Sequence, residues 1–256
     1  MSKLVPPILV LLLALVPLFG QGTPQLGSLE VAARVKIGTK AEKLERKRFY
    51  LFRGGLEANK ALVERLRAEA PVSRDCFYCR QKASPEFMAW LKANNCESPY
   101  CREITAEDVE KVAEFRTAYR KGLKQFPRKS GLARKWITTN LPAPLRNGFY
   151  REQKKTLARL LGGVRPVQSV MTDTGNVKAV FIDIPVDPGT KKTETFLVSN
   201  VLPIEVGDKS YVWVCEVEIG DAGKLVTLGL KVPPPKTCEV FIRPLPACSA
   251  GSCESK

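Results

Sequence analysis

The hydrophobic period changes twice along this chain, and that limits the fold more than any other feature. Residues 28–37 alternate and end at Gly38, and Lys47 to Arg53 carries Phe49, Tyr50, Leu51 and Phe52 in a row before Gly54-Gly55. Both predict strands, the second covered on both faces because it is apolar on both. From Leu56 to Leu161 the apolar spacing is three to four, which predicts helices. From Val164 the period returns to two. Strands are expected over Val164–Met171, Lys178–Ile184, Thr193–Val198, Ser210–Ile219, Lys224–Val232 and Lys236–Ile242. Strands early and late, with helices between, predict an α+β fold: an antiparallel β-sandwich interrupted by a helical insertion.

Within the insertion, helices are expected over 56–70, 84–95, 105–126, near 132–137 and over 149–161. Ser84-Pro85-Glu86 starts the second, with a capping hydroxyl, a proline tolerated in the first turn and an acid at the positive end of the dipole. Thr105 with Asp108 forms a capping box in which Asp stands for the usual Glu. Gly162-Gly163 closes the last. The segment Thr39 to Arg46 is expected as a charged connector. Asp173-Thr174-Gly175-Asn176, Asp187-Pro188-Gly189 and Val206-Gly207-Asp208 are expected as turns, the first with hairpin chemistry.

The N-terminus sets the compartment. Ile8 to Phe19 is a twelve-residue apolar run followed by Gly20-Gln21-Gly22. That length suits a secretory signal over residues 1–22 and is short for a bilayer span, with an uncleaved anchor as the alternative. The organisation that follows is 23–54 for the first strands, 55–163 for the insertion, 164–243 for the remaining strands and 244–256 for a cysteine-bearing tail. A secreted, periplasmic or envelope address is expected.

Eight cysteines in an exported chain point to disulfides. Cys76, Cys79, Cys96 and Cys101 have the spacing C-x2-C-x16-C-x4-C. Nested pairs Cys76–Cys101 and Cys79–Cys96 would staple the ends of helix 84–95, although four cysteines allow three connectivities. A zinc cluster of the four thiolates and a redox-active Cys76/Cys79 pair are the competing readings. Cys215 and Cys238 fall on strands and could join neighbours, and Cys248 and Cys253 could close a terminal loop.

The chain has no histidine. Ser-His-Asp and Cys-His catalysis are therefore excluded, and the commonest metal ligand is absent. Asp173-Thr174-Gly175 matches the aspartic-protease triplet, but that chemistry needs two carboxylates and the motif occurs once. A hydrolase or a thiol-disulfide oxidoreductase is thus the alternative to a non-enzymatic role, and no cofactor is expected.

The strongest functional signal is charge. Between Arg116 and Arg165 stand fourteen Lys or Arg and one acid, Glu152, in a chain of formal net charge +15. Arg116, Arg120 and Lys124 recur at i, i+4, i+8, as do Arg151, Lys155 and Arg159. Repeated like charge at that spacing is mildly destabilising unless packing or a bound anion compensates. With Trp136 as a stacking or interfacial contact, these six cations predict the binding of an anionic partner. Outside the cytoplasm that means lipid headgroups, acidic polysaccharide or an acidic protein face, ahead of nucleic acid.

The C-terminal half also carries a resemblance. Thr172-Asp173-Thr174-Gly175-Asn176 precedes an apolar strand and Asp187-Pro188-Gly189. There follow Thr195 to Pro203 (with Asn200 and Pro203), Val206-Gly207 and Tyr211-Val212-Trp213-Val214. This is similar to the carboxypeptidase regulatory-like, or transthyretin-like (prealbumin-like), β-sandwich of exported proteins, over residues 28–53 and 164–243. The resemblance implies a binding or structural module with no active-site residues of its own. A long cysteine-bearing helical insertion is outside that family's pattern.

Overall fold

The computed structural model describes residues 25–37, 39–186, 193–220 and 225–248. The proposed signal segment 1–22, the Asp187-Pro188-Gly189 turn and Cys253 lie outside the described residues.

The chain is a mixed α+β fold built around antiparallel sheets. Four strands come first: β1 (Gln25–Ala32), β2 (Arg34–Ile37), β3 (Lys40–Lys43) and β4 (Arg48–Arg53). Eight helices follow: α1 (Lys60–Ala68), α2 (Arg74–Arg80), α3 (Pro85–Ala93), α4 (Ala106–Lys111), α5 (Ala113–Gln125), α6 (Ser130–Lys135), α7 (Ile137–Asn140) and α8 (Phe149–Leu161), with a π-helical turn at Pro144–Gly148 leading into α8. The chain returns to strands in β5 (Gln168–Met171), β6 (Lys178–Val186), β7 (Thr193–Ser199), β8 (Ile204–Val206), β9 (Lys209–Gly220), β10 (Leu225–Gly229) and β11 (Cys238–Pro244).

A large sheet runs β11-β9-β7-β4-β5, with β8 paired to β9; a small one runs β10-β1-β6, and β2-β3 is a separate hairpin. One pairing, β1 with β10, is parallel. The large sheet has two dry faces because its central strands carry runs of consecutive apolar residues, Phe49–Phe52, Phe196–Val198 and Tyr211–Cys215. Phe49 and Leu51 of β4, Phe196 and Val198 of β7 and Trp213 of β9 enter one core with Leu29, Val31, Phe181 and Ile184 of the small sheet. The alternate residues Tyr50, Phe52, Leu197, Val212 and Val214 pack on the other face against Leu62 and Leu66 of α1 and Leu160 of α8. At about 25 cal/mol per Å2 of buried apolar surface, this double burial dominates the fold's stabilisation.

A third core lies inside the helical block, where Tyr78, Phe87, Trp90, Phe115 and Phe149 converge. Its rings meet edge-on or tilted, with Trp90 and Phe115 centroids 4.9 Å apart and Phe87 and Phe115 5.6 Å apart, near the preferred aromatic geometry. Helix α8 belongs to two cores at once: Phe149 at its start to this one and Leu160 at its end to the sheet face. Arg65 of α1 donates to the Leu160 and Leu161 carbonyls at 2.7 and 2.9 Å, covering the open end of α8, while Gly162 turns left-handed at φ 54°.

Several sequence expectations are corrected. The helix expected over 105–126 breaks at Val112, which is extended (φ −106°, ψ 118°) between α4 and α5. Val112 is buried there, so core packing overrides an unbroken apolar stripe. The connector 39–46 contains β3, whose alternate residue Lys43 faces Arg34 across the hairpin. Helix α2 occupies the stretch around Cys76, held by the Ser73 hydroxyl on the Cys76 amide. The Asp173–Asn176 turn does not close a hairpin: β5 pairs with β4 and β6 with β1, so the turn crosses from one sheet to the other. Its turn chemistry is real, since the Asp173 carboxylate accepts from the Gly175 and Val177 amides at 3.1 and 2.6 Å.

The disulfides also differ from the nested scheme. Cys96 bonds Cys101, five residues on. Cys76 bonds Cys248, so the segment after β11 is tied to α2. Cys79 is disulfide-bonded too. Cys215 and Cys238 stand opposite each other on β9 and β11 and are bonded. Cys248 is therefore committed to the helical block and does not close a terminal loop with Cys253. These bonds are compatible with an extracellular location. Among the described residues no helix is long and apolar enough to cross a membrane.

The Asp108 carboxylate joins α3, the start of α4 and the loop between them. It accepts from the Thr105 amide and hydroxyl at 2.8 and 2.9 Å, the Trp90 indole at 2.8 Å and Arg102 at 2.9 Å. Burial pushes its pKa up, but Arg102, Thr105 and Trp90 outweigh it and hold it below the ordinary value. Asp108→Ala should cost about 2–3 kcal/mol at pH 7 in urea unfolding, combining a lost cap with an orphaned indole N–H. Because the folded-state pKa is lowered, the native advantage is present above the ordinary carboxylate range. It is lost as pH falls through the lowered value, so the gap between wild type and variant should narrow at low pH.

Candidate functional site

The two basic stripes are not brought together. Helix α5 packs on α3, α4, α6 and α7, whereas α8 packs on α1 and α2. Among the described residues four of the six stripe cations have a partner and two have none, which sorts the charge into committed and available groups. Arg159 makes a two-pronged pair with Glu69, both contacts 2.6 Å, and Arg151 donates to the Asn147 side chain at 2.8 Å. Lys155 lies 3.8 Å from Glu152, and Arg116 donates to the Glu110 carbonyl. Arg120 and Lys124 are exposed. Of Arg151, Lys155 and Arg159, the last also balances a nearly buried acid: the Glu69 side chain is 8% exposed.

What the structure assembles instead is a basic, apolar-tipped corner where α5 turns into α6. Gly122 allows the close approach: a Cβ there would sit 2.7 Å from the Ala133 carbonyl oxygen. Phe126 and Trp136 meet across the corner with centroids 5.5 Å apart. Leu132 and Trp136 remain 41% and 43% exposed. On α5, in the turn after it and on α6 stand the exposed Arg120, Lys121, Lys124, Arg128, Lys129 and Lys135. Among the described residues none of these six forms an ion pair or a side-chain hydrogen bond. A cluster of unpaired cations at that density raises the local potential and attracts anions.

A second basic feature lies in the seam between sheet and helices, and the charge stripes did not point to it. Three polar links hold the seam. The Lys47 ammonium, nearly buried, meets Glu97 at 2.5 Å, and Gln153 of α8 donates to the same carboxylate at 3.2 Å. Arg46 donates to the Cys101 carbonyl at 3.1 Å, and the Arg74 amide donates to Glu205 at 2.6 Å. Burial raises the Glu97 pKa, but Lys47, Gln153 and Arg74 prevail and leave it below its usual range. Burial pushes Glu205 the other way, up, with the Arg74 contacts offsetting only part of that. Beside the Lys47–Glu97 link opens a hollow of about 320 Å3.

The proposed chemistries of the sequence are placed as follows. Cys76, Cys96 and Cys101 are consumed in disulfides, so the zinc reading of the four-cysteine set fails. Among the described residues no group of three or more potential ligands could hold a metal ion. Cys76 and Cys79 are not bonded to each other, which removes the CxxC redox pair. The Asp173 carboxylate is occupied by backbone amides. No protein-family model, curated protein or solved structure matches this chain.

The seam gives a direct test. Glu97→Gln leaves the Lys47 ammonium buried without its counter-charge. The half-exposed carboxylate places the cost between the ~1 kcal/mol of a surface pair and the ~3–5 kcal/mol of a buried one. Denaturant unfolding should show a loss of about 2 kcal/mol at pH 7, and adding Lys47→Met should recover part of it.

Proposed function

We propose that this chain is an exported, non-catalytic protein that binds anionic lipid surfaces through the α5–α6 corner. Its two sheets would form the carboxypeptidase regulatory-like sandwich that the C-terminal residues resemble. The insertion carries the binding surface. The observation behind this reading is the pairing of chemistries on one pair of helices: Trp136 and Leu132, 43% and 41% exposed, on a segment whose cations Arg120, Lys121, Lys124, Arg128, Lys129 and Lys135 have no ion pair among the described residues.

Each part has a physical role. Lys and Arg near a negatively charged bilayer contribute about 1 kcal/mol apiece, screened by salt. An indole and a leucine at the tip would enter the headgroup boundary, where an amphipathic ring is favoured. A sulfated polymer would use the same cations and gain little from the apolar tip, and an acidic protein face would demand shape matching that two isolated apolar side chains do not provide. The committed cations of α8 would add long-range attraction without direct contact.

Sedimentation with phosphatidylserine-containing vesicles checks this. The variant Arg120→Glu/Lys124→Glu should weaken binding by well over tenfold, since reversal of two charges doubles the effect of removing them. Trp136→Ala should weaken it severalfold, and raised salt should release the wild type. Neutral phosphatidylcholine vesicles should bind weakly. Equal retention by all variants, or stronger binding to heparin than to vesicles with no effect of Trp136→Ala, would overturn the lipid reading.

A further inference from the structure

The hollow beside the Lys47–Glu97 link lies about a quarter of the way around α8 from the buried face of Phe149, Thr156 and Leu160. Tyr150, Gln153, Lys154 and Leu157 of α8 line it, at the i, i+3, i+4, i+7 spacing of one helix face. The stripe Arg151, Lys155 and Arg159 points roughly 150° away at 100° per residue. The opposite wall is the start of β4 and the segment before it, with Arg46, Arg48 and Tyr50, and the Asn200–Ile204 connection closes one side.

Three properties make this a built site. The first is charge. Arg46, Lys47, Arg48 and Lys154 face one acid, Glu97, which Lys47 already occupies. Arg46 spends one donor on the Cys101 carbonyl and Arg48 one on the Ser169 hydroxyl at 3.2 Å, so each guanidinium keeps donors. Among the described residues Lys154 makes only a cation–π contact, 5.4 Å from the Tyr150 ring centre. The second is Tyr50. It is 5% exposed, it lines the hollow, and its hydroxyl has no hydrogen-bond partner among the described residues. The hydroxyl itself opens to the hollow, since among the described residues the buried side-chain polar atom without a partner is Asn140 Nδ2, and its donor is therefore free for a ligand. Tyr78, by contrast, donates to the Glu97 carbonyl at 2.9 Å.

The third is the rigidity of the side wall. Val201 is buried with φ +53°, a conformation that β-branched residues rarely adopt. It is held there by Asn200, whose amide donates to Leu202 and Tyr211 carbonyls at 2.6 and 3.0 Å and accepts from the Trp213 amide at 2.7 Å. Strain maintained this way accompanies binding sites. Leu157, Leu202 and Met171 supply an apolar lining.

We propose that this hollow binds a small organic oxyanion, a carboxylate, phosphate or sulfonate carried on an apolar or aryl body. The oxyanion would take donors from Arg48, Lys154 and the Tyr50 hydroxyl, and the body would lie on Leu157, Leu202 and the Tyr150 ring. A hollow of about 320 Å3 suits a ligand at the small end of the usual range. This site is separate from the α5–α6 corner and stands without it.

The aryl sulfonate 8-anilinonaphthalene-1-sulfonate serves as a fluorescent probe on the full chain. It should bind the native protein, with phenyl phosphate displacing it and with phenol or inorganic phosphate displacing it at least tenfold less well. Lys154→Gln should weaken probe binding about tenfold, as loss of a charge-assisted contact does, and Tyr50→Phe severalfold. Lys155→Gln, one residue away on the outer face, should leave it unchanged, as should Arg120→Glu/Lys124→Glu, which disables the other surface. Thermal unfolding of each variant checks that the fold is intact. Equal affinity in Lys154→Gln and Lys155→Gln would overturn the proposal. So would displacement by phenol as effective as by phenyl phosphate, or by inorganic phosphate alone.

Discussion

Everything in this molecule rests on a sheet that is apolar on both sides. Strand β4 shows why in four residues: Phe49 and Leu51 point into the core shared with the small sheet, and Tyr50 and Phe52 into the core shared with α1 and α8. A strand of this kind cannot remain at a water-facing surface, so it needs a layer on each side. The early and late strands of the chain provide one layer and the helices between them the other. The insertion is thereby a structural requirement of the sheet as well as a carrier of charge. Removing it would expose Tyr50, Phe52, Leu197, Val212 and Val214 together, an apolar patch that favours aggregation.

The attachment of the helices to the sheet is polar where it is solvated and apolar where it is dry. Apolar packing of α1 and α8 is reinforced by Arg65 on the α8 carbonyls and by Arg67, which pairs with Glu239 at 2.6 Å and lies 5.3 Å from the Phe241 ring centre. On the far side the Lys47–Glu97 link and the Cys76–Cys248 bond complete the hold. That bond closes a chain separation of 172 residues, so it ties the end of the described chain to the helical block and restricts the unfolded ensemble strongly. Between these two attachments the seam stays open, and its hollow exists because neither fixes it shut.

Periodicity made much of this visible in the sequence. The strands around Phe49, Phe196 and Trp213 and the helix from Phe149 to Leu161 follow from local spacing, which side-chain burial then enforces. The double coverage of β4 was visible for the same reason. What spacing does not contain is the identity of distant partners. Nothing local to Cys76 distinguishes Cys248 from Cys101, because the choice is made by where β11 ends relative to α2. Likewise the Asp173–Asn176 turn chemistry is local, while the sheet each flanking strand joins is not. The break at Val112 has the same origin: its side chain is needed in the helical core, and the stripe continues unbroken in sequence.

The charge shows this limit most sharply. An i, i+4 stripe defines one face of an isolated helix, and nothing more. In the fold, Arg159 answers a nearly buried Glu69 from the end of α1, ninety residues earlier in the chain, and so its charge is balanced within the molecule. Lys121, Arg128, Lys129 and Lys135 follow no stripe, yet they too are exposed on α5, the turn after it and α6, without ion pairs among the described residues. On α8, Lys154 is flanked by Lys155 in sequence but belongs to a different face and a different site. The fourteen bases between Arg116 and Arg165 therefore include charge that holds the helices, charge displayed on α5 and α6 and, in Lys154, charge turned to the seam. It is unspent donors, not the number of cations, that decide where an anion can be held.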